Sequence, residues 1–343
     1  MPDTRVPVLI AGIGGASLGT ELLKCLAGST RFAAFGCDVH PLAYGHYQGD
    51  HNGSYLVDRH RYVDSVLELC ARLGARAVIP GGEEPLALLS QAAGRLNSAK
   101  VHLASNAADV VSLCGDKARL FARLRDLGIP VPWTMAALDV QHTTDIPVPC
   151  VIKPATGTGG STWVFLAHSR EEVAEYAAFL GRNGKIALLQ EYVPEDEGEF
   201  TIGVLSLTDG TPAGSIALRR TFHAKLSVSL RTPHGVVSSG YSQGLIDDFP
   251  DVRSQAERIA SQLGSRGPMN IQGRLKGGVL LPFEINARFS ASTWLRALAG
   301  FNEVEAYLAH LFDGLRPEFG PLRAGYYLRS LSEVYVPQER VIR

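Results

Sequence analysis

Met269-Asn270-Ile271-Gln272 and, beyond a Lys276-Gly277-Gly278 break, Phe283-Glu284-Ile285-Asn286-Ala287-Arg288 decide how this chain is read. On an extended strand Glu284, Asn286 and Arg288 point to one face, and Phe283, Ile285 and Ala287 to the other. An apolar strand thus carries a carboxylate, an amide and a guanidinium in a row. Buried charges of this kind are costly unless paired or bound. A carboxylate with amide oxygens offers hard ligands for Mg²⁺, and an arginine offers a fork of donors for phosphate. Taken alone, the hexapeptide also fits a solvated strand face with a surface ion pair. Gln272 joins this face only if the loop at Gly277-Gly278 has an odd number of residues. A three-residue loop satisfies that and a two-residue loop does not.

The chain has 343 residues, which predicts two or three packed units. With 45% apolar residues, 20% charged residues and a net charge of −1, its composition is globular and excludes a disordered chain. The near-neutral balance gives no global reason to bind nucleic acid or an acidic membrane surface. Cys25, Cys37, Cys70, Cys114 and Cys150 are scattered, with no CxxC pair and no zinc-like spacing. Such cysteines suit a reducing compartment, so a cytoplasmic location is expected. No signal-peptide pattern opens the sequence, and no apolar run approaches a membrane span.

Strand and helix patterns alternate from Val6 to Ala104. Strands are predicted at Val6–Ala11, Phe32–Cys37, Ala77–Pro80 and Val101–Ala104, with helices through Leu26, over Tyr62–Leu73 and over Leu86–Leu96. This alternation predicts a Rossmann-like parallel sheet over residues 1–105. A helix capped by Asp116 and stopped by Gly128 and Pro130 links it to the rest, over residues 106–130. Residues 131–195 read as a small α+β unit, with strands at Val148–Pro154, from Trp163 and at Ile186–Val193, and a capping box at Ser169–Glu172. Residues 196–343 read as a larger unit. It has a hairpin around Asp209-Gly210, a helix at Val252–Leu263, the opening strands, helices from Trp294 to Leu311 and an edge strand from Tyr326.

Two glycine clusters stand out. Gly12-Ile-Gly14-Gly15-Ala-Ser17 with Asp38 approaches a dinucleotide turn, but Ser17 departs from the pattern, and a structural βα turn is the favoured reading. Gly157-Thr-Gly159-Gly160-Ser161 lies between two strands and lacks a Gly-Lys-Ser/Thr ending, so it is no P-loop. Its backbone N–H groups can still cover phosphates, with Lys153 four residues earlier as a point charge. Gln190-Glu191-Tyr192-Val193 ends a strand whose free backbone groups can meet an adenine edge. Glu199 is a carboxylate able to accept two ribose hydroxyls. Arg219, Arg220, His223, Lys225, Arg231 and His234 form a basic stretch suited to a carboxylate or a transferring phosphate, with Arg220 its preferred member. Ser290, Ser292, Thr293 and Arg296 follow Arg288 as candidate substrate contacts, and Arg296 also fits a surface helix.

The ordered set from Lys117 to Arg288 resembles the ATP-grasp superfamily, near its carbamoyl-phosphate-synthase-like carboxylate–amine ligases. The resemblance is strong from Asp116 to Arg288 and loose before it. It departs from the usual Asn-Pro-Arg at Ala287. The resemblance implies an ATP-grasp fold, a mixed α/β (α+β) architecture with an N-terminal Rossmann-like unit, a small lid unit and a larger antiparallel-sheet unit. It implies ATP contacts from Lys117, Lys153, Gly157, Gly159, Gly160, Ser161, Gln190, Glu191, Tyr192, Val193 and Glu199. It implies Gln272, Glu284 and Asn286 as ligands of two Mg²⁺ ions, for which Mn²⁺ can substitute, and Arg288 at an acyl-phosphate, with Arg220 and Lys153 beside it. Arg219, Lys225, Ser292 and Arg296 are the candidate substrate residues.

The implied reaction joins a small-molecule carboxylate to an amine, or to a thiol, through an acyl-phosphate with release of ADP and phosphate. No nucleic-acid or membrane partner is expected, and a homodimer is a superfamily expectation. The alternatives are a bicarbonate-using carboxylase or carbamoyl-phosphate-type enzyme, an NAD(P)-binding oxidoreductase on the first glycine cluster, and a non-catalytic ATP-binding module. Glu83 and Glu84, beside Gly81-Gly82, fit either the attraction of an amine or the start of a helix.

Overall fold

Short apolar runs alternate with amphipathic ones through the first hundred residues, and the computed structural model folds them into a parallel sheet. It describes residues 4–15, 17–137, 145–156, 162–223, 225–233 and 235–342. Strands β1 (Val6–Ala11), β2 (Phe32–Asp38), β3 (Ser54–Leu56), β4 (Ala77–Pro80) and β5 (His102–Leu103) pair in parallel in the order β3-β2-β1-β4-β5. Helices cover both faces, because alternate residues of β1 enter opposite cores. Val8 and Ile10 pack with Leu22 of α1 (Leu18–Leu26), and Leu9 and Ala11 with Val66 and Leu69 of α2 (Tyr62–Leu73). Gly74, at φ 64°, ends α2 as expected.

The single helix expected over 86–96 is instead two, α3 (Glu83–Gln91) and α4 (Ala93–Ser98), which meet at Ala92. Its start moves back to Glu83, where two carboxylates in the first turn complement the helix dipole. The three-residue β3 had no apolar periodicity to announce it.

The first glycine cluster has a packing explanation. A Cβ on Gly19 or on Gly81 would lie 1.9 Å from the carbonyl oxygen of Gly12, so α1 and the end of β4 both close onto that one backbone group. Asp38 is spent on the same turn: Oδ2 accepts from Ile13 N–H at 2.9 Å and Oδ1 from His40 N–H at 3.0 Å. This geometry favours the structural reading of the turn over a ribose contact.

Helices α5 (Ala108–Gly115) and α6 (Lys117–Asp126) follow, the second capped by Asp116, which accepts from Arg119 N–H at 3.1 Å. Strands β6 (Thr134–Ala137), β7 (Cys150–Pro154), β8 (Phe165–Ala167) and β9 (Ala187–Glu191) form a small antiparallel sheet in the order β6-β9-β7-β8. Helix α7 (Arg170–Arg182) packs on it. Ser169 caps α7, and Glu172 reaches back to the His168 N–H at 2.7 Å. Trp163 does not begin β8 as expected, since its φ of 56° takes it out of extended backbone.

The larger sheet contains β10 (Glu199–Ser206), β11 (Pro212–Arg220), β14 (Gly244–Asp247), β15 (Pro268–Lys276), β16 (Val279–Asn286) and β17 (Gly325–Tyr327). Their order is β16-β15-β10-β11-β14-β17, with β12 (Val228–Thr232) and β13 (Gly235–Ser238) forming a separate hairpin. The C-terminal strand is the edge strand the sequence predicts. On one face Phe200, Ile202, Val204, Met269, Ile271 and Ile285 pack against α6 and against α8 (Pro250–Gln262). On the other face α9 (Thr293–Leu298) and α10 (Glu303–Asp313) cover one end and pack against α1. The uncovered end of that face is polar.

Ala normally stabilises a helix over Gly by about 1 kcal/mol. At Gly19 the sign is expected to reverse: Gly19→Ala should lower stability by at least about 2 kcal/mol, because the clash is with backbone. Gly94→Ala in α4, where nothing lies within 4 Å, should be neutral or stabilising. Denaturant unfolding of the two variants checks this.

Candidate functional site

The polar end of the large sheet is set by register. β10, β15 and β16 place Glu199 opposite Arg274, Gln272 opposite Glu284 and Asn270 opposite Asn286. Directly paired residues share a face, so Gln272, Glu284 and Asn286 do lie together.

The loop requirement was wrong in its particulars. Lys276 pairs with Val279, leaving a two-residue Gly277-Gly278 turn with φ of 60° and 74°. The parity is restored by a β-bulge: Gly273 pairs with Pro282 but Gln272 with Glu284, so Phe283 is the extra residue. Its carbonyl accepts a 2.8 Å hydrogen bond from Lys153 Nζ. The irregularity that aligns Gln272 with Glu284 and Asn286 thus also seats the lysine.

Lys153 comes from β7, is buried, and also donates to Gln190 Oε1 at 2.9 Å. Burial pulls its ammonium down to about 7; Glu284 opposes the shift and Lys117 adds to it. Lys117 reaches the same place because the α6 start is hooked to the end of β7, through Lys117 N–H to Ala155 O at 3.1 Å. One pocket is lined by Lys117, Lys153, Gln190, Glu191, Tyr192, Val193, Glu199, Gln272 and Glu284, with Phe283, Val236 and Val237 as apolar wall. Residues spread over more than 160 positions of sequence are therefore gathered at one concave site. Gly157, Gly159, Gly160 and Ser161 lie outside the described residues, as does His234.

Some expected employments change. The end of β9 is not free: Tyr192 N–H donates to Pro149 O at 3.1 Å, and Val193 C=O accepts from Arg274 at 2.5 Å. Glu191 pairs with Lys276 at 3.0 Å and accepts from Trp133 N–H at 3.2 Å. Burial pushes its carboxyl up, but these two partners outweigh it and hold it below the usual range. Arg220 is a buried clamp whose Nη2 donates to the carbonyls of Ser227, Ser239 and Tyr241, at 2.8 to 3.3 Å. Arg296 is not a surface residue and does not line the pocket. It is 1% exposed, paired with Glu303 at 2.9 Å and bonded to Asn270 Oδ1 at 2.6 Å. Ser292 is buried too, its hydroxyl 2.8 Å from that of Ser290. Arg219 and Lys225 are exposed and do not line the pocket.

Arg274 was missed. Its Nε donates to Glu199 at 2.8 Å, Nη1 to Val193 O and Nη2 to Val236 O at 2.6 Å, and its guanidinium lies 4.8 Å from the Tyr192 ring centre. The signal was present: Asn270, Gln272, Arg274 and Lys276 alternate with apolar or glycine positions, the strand period of a polar face. Burial acts to lower the Arg274 pKa, but Glu199 and Tyr192 carry it above its ordinary value. Burial holds Arg220 below its ordinary value; Glu199, 3.5 Å away, opposes the shift and Arg274 adds to it.

The donor set suits a hard cation shared with phosphates. Glu284 brings one carboxylate, with Asn286 Nδ2 3.4 Å from its Oε1 and Gln272 directly across the ladder. No group of three or more His, Cys, Asp or Glu that could hold a metal is found among the described residues. One carboxylate plus amides is too few for a closed protein cage, but it fits Mg²⁺, which takes much of its shell from water and phosphate.

Residues 114–292, more than half of the chain, match the family model for the ATP-grasp domain. The chain belongs to the ATP-grasp family. It is similar to the formate-dependent phosphoribosylglycinamide formyltransferase of Corynebacterium jeikeium, 25% identical over 302 residues, which cover 84% of this chain and 69% of that protein. It is similar also to the carbamoyl phosphate synthase large chain of Neisseria meningitidis, 26% identical over 238 residues. That match takes in 66% of this chain but spans only 21% of the relative's length. Among solved structures, the biotin carboxylase domain dimer of Hydrogenobacter thermophilus 2-oxoglutarate carboxylase, with MgADP, ADP and bicarbonate, superposes with a TM-score of 0.67. It is 17% identical, and the match covers 93% of this chain and 73% of that one. This likeness shows the ATP-grasp fold. Among the described residues no helix is long and apolar enough to cross a membrane.

Two outcomes are expected at this site. At pH 8 Lys153 is largely uncharged, and an incoming polyphosphate should restore its charge, so nucleotide binding should take up as much as about one proton. Calorimetry in buffers of different ionisation enthalpy reads this directly; Lys153→Arg should abolish the uptake, and a flat buffer dependence in the native protein would count against it. Arg274→Ala should cost about 3–5 kcal/mol in denaturant unfolding, since Glu199 loses its closest buried partner.

Proposed function

We propose that this chain is an ATP-dependent, ADP-forming ligase that joins a small-molecule carboxylate to an amine through an acyl-phosphate. The observation that carries the reading is the convergence of Lys117, Lys153, the Gln190–Val193 strand end, Glu199, Gln272 and Glu284 on one pocket. Lys117 and Lys153 are the cationic groups for the polyphosphate, and Val236, Val237 and Val193 wall the apolar part, as a purine requires. Gln272, Glu284 and Asn286 would hold Mg²⁺, as one ion or two, with Mn²⁺ an acceptable substitute. Bound there, the ion would neutralise charge on the transferring phosphoryl group.

A substrate carboxylate oxygen attacks the γ-phosphorus, the bond to the β-phosphate oxygen breaks, and ADP leaves. Lys117 and Arg288, with Lys153 once the polyphosphate has restored its proton, supply positive charge for this step, which depends on positioning more than on proton transfer. The amine nitrogen then attacks the acyl carbon. The C–O bond to phosphate breaks, and the nitrogen loses its proton. Phosphate and an amide are the products. A second reading places bicarbonate where the organic acid stands; it is favoured by the match to a carbamoyl phosphate synthase chain.

A coupled ADP-release screen over paired acids and amines, with mass detection of product, tests the proposal. Glu284→Ala is expected to fold normally and to lose about 10²-fold or more of the turnover. Undiminished turnover in that variant sinks the reading. ADP release stimulated by bicarbonate with no organic acid would shift it to the second.

A further inference from the structure

We infer that Glu83 is the positioning residue for Arg288, holding its guanidinium at the metal-ligand end of β16. This rests on the reading of Arg288 as the group that meets the transferring phosphoryl.

Arg288 follows β16 by two residues, in a turn where its own N–H bonds back to Asn286 O at 2.9 Å. A turn residue on a flexible four-bond side chain has no intrinsic reason to point one way. Here Nε donates to Glu83 Oε1 at 2.7 Å, Nη2 contacts the same oxygen, and Nη1 donates to Phe289 O at 2.7 Å. Three of the five N–H donors of the guanidinium are thereby engaged, which fixes its plane and leaves two for an incoming oxygen.

Glu83 is itself well placed. It is the first residue of α3, directly after the wholly buried β4 and the Gly81-Gly82 turn, and the helix dipole favours its charge. The two residues are 205 positions apart, so the contact joins the parallel-sheet unit to the metal strand. The exposures differ in a telling way: the Arg288 side chain is 17% exposed and that of Glu83 47%. An exposed pair of this kind adds little to stability, so its consequence lies in orientation. Glu84, by contrast, points away to Arg59, 3.4 Å distant, in a pair exposed at both ends.

The test uses MgADP with and without aluminium fluoride, which mimics the phosphoryl group in flight and needs no knowledge of the acid or amine. Glu83→Ala is expected to leave MgADP affinity within about twofold and to weaken the MgADP–aluminium fluoride complex by about tenfold or more, as loss of an outer-sphere partner does. Glu83→Gln, which keeps an acceptor for Nε without its charge, should fall between the native protein and Glu83→Ala. Arg288→Ala should match or exceed the loss. Unchanged MgADP affinity also reports an intact fold, which separates orientation from stability. A native protein that gains no affinity from aluminium fluoride overturns the phosphoryl-transfer reading. A native protein that gains it, with Glu83→Ala and Glu83→Gln gaining just as much, overturns the positioning of Arg288 alone.

Discussion

Glu199 lies fully buried between two guanidiniums, and much of the pocket is arranged around that fact. Arg274 meets it directly across the β10–β15 ladder, and Arg220 approaches from β11 at 3.5 Å. A lone carboxylate in that position would be prohibitively costly. The pair need not add net stability, because desolvating both partners offsets the attraction. What it contributes is specification. Arg274 has donors left over, and it spends them on Val193 O and Val236 O while stacking on Tyr192. One side chain thereby ties the chain just past β9 and the β12–β13 hairpin to the large sheet. The same hairpin approaches so closely that a Cβ on Gly235 would lie 2.6 Å from the Tyr192 ring.

At the other end of the pocket the constraint is register. A tight Gly277-Gly278 turn would, by itself, put Gln272 opposite Phe283 and leave Glu284 out of step. The bulge at Phe283 moves the last three pairs by one residue and frees a carbonyl that Lys153 uses. Two things follow from one irregularity: the alignment of Gln272 with Glu284 and Asn286 on one face, and a seat for a buried ammonium. Burial of that ammonium pulls it down to about 7, so the side chain, able to shed its proton, is less costly to bury here than an ordinary lysine's charge would be.

Much of the architecture was legible because local periodicity carries it. Strands β1, β2, β4 and β5 of the parallel sheet, α2 with its Gly74 stop, the Asp116-capped helix and the β10–β11 hairpin stand where their apolar spacing and caps put them. The errors cluster where tertiary packing overrides local pattern. Trp163 looks like strand but adopts a left-handed φ, and the helix expected at 86–96 divides at Ala92. Arg296 has the spacing of a surface residue, yet a polar pocket made by Asn270, Thr201 and Glu303 accepts it in the core. No sequence window contains those three partners, so no periodicity could announce the burial.

The sequence by itself determined which chemical groups are present and on which strand faces they start: the carboxylate, amide and arginine of residues 284–288, the lysines and the acid at 199. The stretch 284–288 carries one carboxylate, one amide and one arginine, and their placement follows from side-chain chemistry and from the twofold period of a strand, both of which are local. Only the tertiary structure decided which of those groups share a site. The bulge that sets the 272–284 pairing, the choice of Arg274 as the partner of Glu199 and the reach of Glu83 to Arg288 all join residues distant in sequence. They depend on the free energy of burying and pairing charge in a particular packed place, and that place exists only once the sheets have assembled.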